Sequence, residues 1–122
     1  MGKFNRFEDI LAWQKARELN KVLFEITSKE KFCKDFSLKD QILRASNSIM
    51  LNIAEGFARR SNNEFIHFLV MSHGSSAEIQ SALYIALDRK YIVENVFKLN
   101  YDACDEISKM LMGLIKYLKN SN

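Results

Sequence analysis

Apolar residues recur at steps of three and four in four separate stretches of the chain, the spacing that lines one face of an α-helix. In the first stretch Ala12, Ala16, Leu19, Leu23 and Ile26 form such a row, and a helix is predicted from Phe7 to Ser28. Leu11, Val22 and Phe24 widen that face and Trp13 stands beside it, while Lys15, Arg17, Glu18, Lys21 and Glu25 fill the remainder. The periodicity lapses over 29–36, where a loop is expected whose Phe32 and Phe36 close one end of the core. Ser37, three residues before Asp40, has the spacing of a capping box and starts the second helix. Leu38, Ile42, Ala45, Ile49, Ile53 and Gly56 or Phe57 carry the inward stripe onward until Arg59-Arg60.

Ser61-Asn-Asn-Glu64 is a full capping box directly before a new apolar row, the sharpest start signal in the sequence. The third helix reads Phe65, Phe68 or Leu69, Ser72, Ser75 or Ser76, Ile79, Leu83 and Ala86. The fourth starts near Glu94 with Phe97, Tyr101, Cys104, Ile107, Leu111, Leu114 and Leu118. No proline interrupts any of them. Four amphipathic segments with short connections predict an all-α chain, one antiparallel up-down-up-down four-helix bundle spanning 1–122. The tight turn at Arg60-Ser61 makes helices two and three antiparallel neighbours, with facing positions summing to about 121 or 122. That register sets Ser48 beside Gly74, where small residues let the backbones approach, and Arg44 beside Glu78 as an expected ion pair.

A second row on helix three, Ile66, Val70, Ala77 and Tyr84, has no partner inside a single bundle. Apolar surface of that extent marks an interface, so the chain is expected to bind copies of itself. Composition adds less. With 48% apolar and 27% charged residues the chain suits a folded globular domain and not a disordered one. No apolar run reaches the length of a membrane span, the start lacks a signal-peptide stretch, and Arg6 spoils a myristoylation signal at Met1-Gly2. Cys33 and Cys104 have no ligand-like spacing and read as reduced thiols, so a cytoplasmic protein without membrane contact is expected. The net charge is +3, all of it from residues 1–44, a balance that permits nucleic-acid binding without requiring it.

Candidate chemistry is sparse. Ser48, Asn52, Glu55 and Arg59 share one face of helix two. They read as a hydrogen-bonded stripe that fixes helix register, with an i,i+4 Glu55–Arg59 pair; the alternative is a site with Glu55 as acid or base and Arg59 as anion binder. His67 and His73 lie on different helical faces, and Glu64-Phe-Ile-His67 matches the Glu-x-x-His of helical di-iron bundles only once, so neither a metal nor any other cofactor is expected. A small hydrolase using Glu55 and His67 is the enzymatic alternative; the preferred reading is that the chain is not an enzyme. Arg59 and Arg60 at a helix end, with Lys15, Arg17, Lys21 and Lys39, are the candidate phosphate contacts, made effective if an oligomer repeats them.

The stretch Gln41-Ile42-x-Arg44-Ala45-x-x-Ser48-Ile49-x-x-Asn52-Ile53-Ala54-Glu55-Gly56-x-x-Arg59 resembles the signature of the 23S rRNA intervening-sequence proteins. Phe7-Glu-Asp-Ile-x-Ala-Trp13-Gln14-Lys15-Ala16, Gly74-Ser75-x-x-Glu78 and Leu111-Met-Gly113-Leu114-Ile115-Lys116 resemble its flanks. Cys33 and Met50 stand where that family often has proline, and Ser37 and Lys90 where it often has glycine, so local backbone geometry should differ and the second helix should run straighter. The resemblance implies a four-helix bundle in a homopentameric ring. It also implies similarity to the accessory variability determinant of diversity-generating retroelements, with RNA or DNA, a reverse transcriptase or a ribosomal component as partners.

Overall fold

The computed structural model describes residues 4–121, and the myristoylation question at Met1-Gly2 lies outside them. Every regular element among the described residues is helical: a 3-10 turn at Phe7–Asp9, then α1 (Leu11–Thr27), α2 (Glu30–Cys33), α3 (Phe36–Ala58), α4 (Asn62–Asp88) and α5 (Glu94–Lys119). The described residues thus form five α-helices where the apolar pattern gives four; α2 is a single turn inside the segment expected to be loop. The four long helices pack principally as α1 on α3 and α5, α3 on α4, and α4 on α5.

Registers are antiparallel. Between α3 and α4, Gln41 meets Glu78, Ser48 meets Ser75 and Phe57 meets Phe65. Between α4 and α5, Ser76 meets Ser108 and Tyr84 meets Phe97. Most of the expected inward rows form the core: Ala12, Ala16, Leu19 and Leu23 from α1, Leu38, Ile42, Ala45, Ile49, Ile53 and Phe57 from α3, and Phe65, Leu69, Ile79, Leu83 and Ala86 from α4. From α5 come Cys104, Ile107, Leu111, Ile115 and Leu118; Ile115 takes the place expected of Leu114, which is half-buried, as are Phe97 and Tyr101.

Two helix starts differ from expectation. The first helix begins at Leu11, because Ile10 is extended (φ −78°, ψ 119°) and its N–H closes the 3-10 turn onto Phe7. The Gln14 amide then donates to the Glu8 carbonyl at 2.8 Å, holding the turn against the helix. Thr27 replaces Ile26 in the buried row, its hydroxyl donating to the Leu23 carbonyl at 2.8 Å. Leu11, Val22 and Phe24 do not widen the buried face; all three are exposed.

Asp35, not Ser37, caps α3, its Oδ1 accepting from the Leu38 N–H at 3.2 Å. Its other oxygen accepts from Arg89 at 2.7 Å and from the Tyr91 hydroxyl at 2.9 Å. The Leu38 N–H, the Tyr91 hydroxyl and the Arg89 guanidinium hold the Asp35 carboxyl below its ordinary range. Phe32 closes this end of the core against the Tyr91 ring, whereas Phe36 is 78% exposed. At the start of α4 the Ser61 Oγ accepts from the Glu64 N–H at 3.4 Å, the serine half of the expected capping box, while the Glu64 carboxylate lies 3.5 Å from Arg59.

The turn from α4 to α5 is a Schellman closure: Tyr91 N–H donates to Ala86 and Lys90 N–H to Leu87, with Lys90 left-handed at φ 63°. Lys90 therefore occupies a conformation natural to glycine, so the turn geometry expected to differ here is kept. Met50 lies inside an uninterrupted α3.

Candidate functional site

The polar face of α3 forms a hydrogen-bonded ladder. Asn52 donates to the Ser48 carbonyl at 2.9 Å and to its hydroxyl at 2.8 Å, and Ser75 of α4 donates to the same hydroxyl at 2.9 Å. One turn on, Arg59 bonds Glu55 at 2.9 Å, approaches Glu64 at 3.5 Å and lies over the Phe68 ring at 5.0 Å. The Glu55 hydrogen bond leads the interactions that raise the Arg59 pKa. Arg59 is thus an inter-helix tie with two acidic neighbours, which weakens it as a free phosphate contact. Glu55 is held by that tie and His67 sits edge-on to Phe68, so the geometry does not pair them as acid and base.

Two expectations about this seam are corrected. Arg44 pairs with Asp40 at 2.9 Å and Glu78 accepts from Gln41 at 2.8 Å, in place of an Arg44–Glu78 ion pair, although both line one shallow depression. Asp40 is a helical neighbour of Arg44, so its carboxylate is within easier reach. Close backbone approach occurs at Gly56 and not at Gly74. A Cβ on Gly56 would stand 2.6 Å from the Phe68 Cβ, while one on Gly74 meets nothing within 4 Å.

The remaining cations disperse. Lys15 faces α5 and pairs with Glu106 at 3.4 Å. Arg17 lies 5.9 Å over the Trp13 ring and Arg60 5.3 Å over Phe57, with Arg60 left-handed at φ 59°. Arg17 and Lys21 share one face of α1; Arg59 and Arg60 sit where α3 ends. The six candidates are divided between α1, the first turn of α3 (Lys39) and the end of α3. Among the described residues no three His, Cys, Asp or Glu side chains gather as a metal site requires.

Apolar surface is the larger outward feature. On α4, Val70 is 53% exposed and Ala77 is open, with Ile66 half-buried beside them. Tyr84, the last of that row, turns into a ring cluster with Phe97 and Tyr101 of α5 at 4.7 and 5.9 Å. A second apolar face escaped the sequence reading. Along the α1–α5 seam, Leu11 (62%) and Leu99 (70%) stand exposed with Val22 and Tyr117, bordering two grooves of about 160 and 220 Å³. The exposed Leu11 and Val22 were the available signal, since they sit off the best row of α1.

Together these features define a small helical bundle with polar seams around α4 and apolar, cation-dotted faces outside. The model of the 23S rRNA-intervening sequence protein family matches residues 8–113, and the chain belongs to that family. A crystal structure of a protein of unknown function from the S23 ribosomal protein family of Bacteroides thetaiotaomicron is similar, with a TM-score of 0.80 and 25% identity over 87% of this chain and 96% of that one. No curated protein matches significantly. No described helix is long and apolar enough to cross a membrane.

Proposed function

We propose that the protein is a homo-oligomeric scaffold, without catalysis of its own, that holds RNA or RNA/DNA against cations repeated around the assembly. In this reading the four long helices act as one up-down-up-down four-helix bundle, and a ring of five copies is the assembly that the family resemblance favours. The observation that carries it is a pair of exposed apolar faces, Leu11, Val22 and Leu99 along the α1–α5 seam and the Ile66–Val70–Ala77 side of α4. They lie on different sides of the subunit, as a head-to-tail interface needs if it is to close a ring.

Of the candidate cations, Arg17, Lys21, Lys39 and Arg60 have no carboxylate partner among the described residues and are left for phosphate. Four charges on one subunit bind weakly; repeated around an axis they track a backbone, and each contact steepens the salt dependence. The names of the family and of the structural neighbour favour an rRNA or ribosomal component as partner over a reverse transcriptase, in the cytoplasm.

Mass in solution and fluorescence anisotropy against structured RNA and duplex DNA, at low and moderate salt, test this. The expected result is a multimer whose binding weakens with salt, with a flatter slope for Arg17→Glu/Arg60→Glu. A monomer, or no binding at low salt, would overturn it. An oligomer indifferent to nucleic acid would instead support a protein-interaction module.

A further inference from the structure

On the outer side of the α4–α5 seam, Tyr84, Phe97 and Tyr101 border an open depression of about 570 Å³, with Glu94, Asn95, Lys98 and Asp102 on its rim. Phe97 and Tyr101 are half-buried and fixed against each other at 5.5 Å, so the aromatic wall is held in place without a ligand. The rim carries two carboxylates, which only accept, the Lys98 ammonium, which only donates, and an amide and two phenols that do either. Its formal charge is −1, because Lys98 offsets one of the two acids.

We propose that this depression receives the guanidinium of an arginine carried on a segment of a partner protein. Ring faces are negative and attract cations, and a guanidinium stacks on them while its N–H groups, all donors, fork onto carboxylates. Asp102 is paired with Lys98 at 3.1 Å in an exposed i,i+4 contact, which an entering arginine displaces readily. Glu94 has no ion pair among the described residues. Phosphate is disfavoured by the same two acids, which separates this surface from the nucleic-acid reading. The depression is open and shallow, so contacts from a flanking peptide are needed to hold the cation, and a free cation binds more weakly.

The test uses the full chain with assigned Phe97 and Tyr101 ring resonances, titrated with acetyl-Gly-Arg-Gly-amide, its citrulline counterpart, guanidinium chloride at matched ionic strength, and a single-stranded oligonucleotide. The arginine peptide should shift both rings, and citrulline should bind about tenfold more weakly or not at all, since it lacks the charge. Guanidinium alone should bind more weakly than the peptide. Asp102→Asn and Glu94→Gln should weaken the peptide, and Lys98→Gln should tighten it. Equal response to citrulline, weaker binding in Lys98→Gln, or ring shifts only with the oligonucleotide would overturn the proposal. Tyr84→Ala should lose the peptide and keep the native mass; a change in mass without any peptide binding in the parent would assign the surface to contact between copies, and so overturn it as well.

Discussion

The seams that α4 makes and the seam between α1 and α5 are built on opposite plans. Around α4, small residues and hydroxyls face inward: Gly56 admits Phe68, Ser72 donates to the Ile49 carbonyl at 2.9 Å, and Ser76 donates to the Cys104 carbonyl at 2.9 Å. Each such bond has one acceptable register, so α3, α4 and α5 are positioned by polar pairing as well as by burial. Between α1 and α5 the Lys15–Glu106 ion pair at 3.4 Å spans a seam otherwise bordered by exposed Leu11, Val22, Leu99 and Tyr117. One plan fixes a subunit; the other leaves apolar surface for something outside it.

The contrast can be broken by mutation, and the largest effect should come from Phe65, wholly buried beneath Gly56 and against Phe57. Phe65→Ala should cost about 3–5 kcal/mol in urea unfolding, and Leu99→Ala in the other seam less than about 0.5 kcal/mol. Similar losses for both would erase the distinction. Gly56→Ala should cost about 1–2 kcal/mol, since overpacking against the Phe68 Cβ outweighs the better helix propensity; a stabilised variant would mean that the helices separate freely there.

Alkaline pH probes the α4–α5 side. Burial pushes the Cys104 thiol up to about 12. The folded state holds this proton more tightly than the unfolded chain, so the contribution is fully present below the unfolded thiol value of about 8.5 and declines as pH rises toward the folded one. The slope attributable to it is about 1.4 kcal/mol per pH unit within that window, and Cys104→Ala should remove it. An unchanged alkaline slope would place the thiol in contact with solvent. The smallest stability effect belongs to Leu99→Lys, within about 0.5 kcal/mol, yet it should lower the mass in solution. A Leu99→Lys protein with parental mass would move the assembly face away from the α1–α5 seam.

How much was readable in advance follows the same division. The rows of α3 and α4 and the Ser61 cap were legible, because period and local capping are written within a few residues. The Ser48–Asn52 and Glu55–Arg59 contacts were legible for the same reason, each being one helical turn. What escaped depended on residues far apart in the chain. Asp35 caps α3 while held by Arg89 and Tyr91, and no local pattern favours it over Ser37. Tyr84 reads as a spare apolar position until Phe97 and Tyr101 are set beside it. Arg44 lay near Glu78 as the register required, but the nearer Asp40 took the bond. The distribution of the six cations over separate elements likewise belongs to the three-dimensional arrangement, and no count of charges foretells it.

The Asp35 carboxylate also bears on the order of events as the chain folds. It joins the start of α3 to the turn after α4 across 54 residues to Arg89 and 56 to Tyr91. The same carboxylate makes one local bond, to the Leu38 N–H three residues on, and two distant ones. Closing the distant ones carries the larger loop-closure cost. Arg89→Ala removes a distant bond and spares the cap, so it should speed unfolding more than it slows refolding in stopped-flow measurements, whereas Asp35→Ala should also slow refolding.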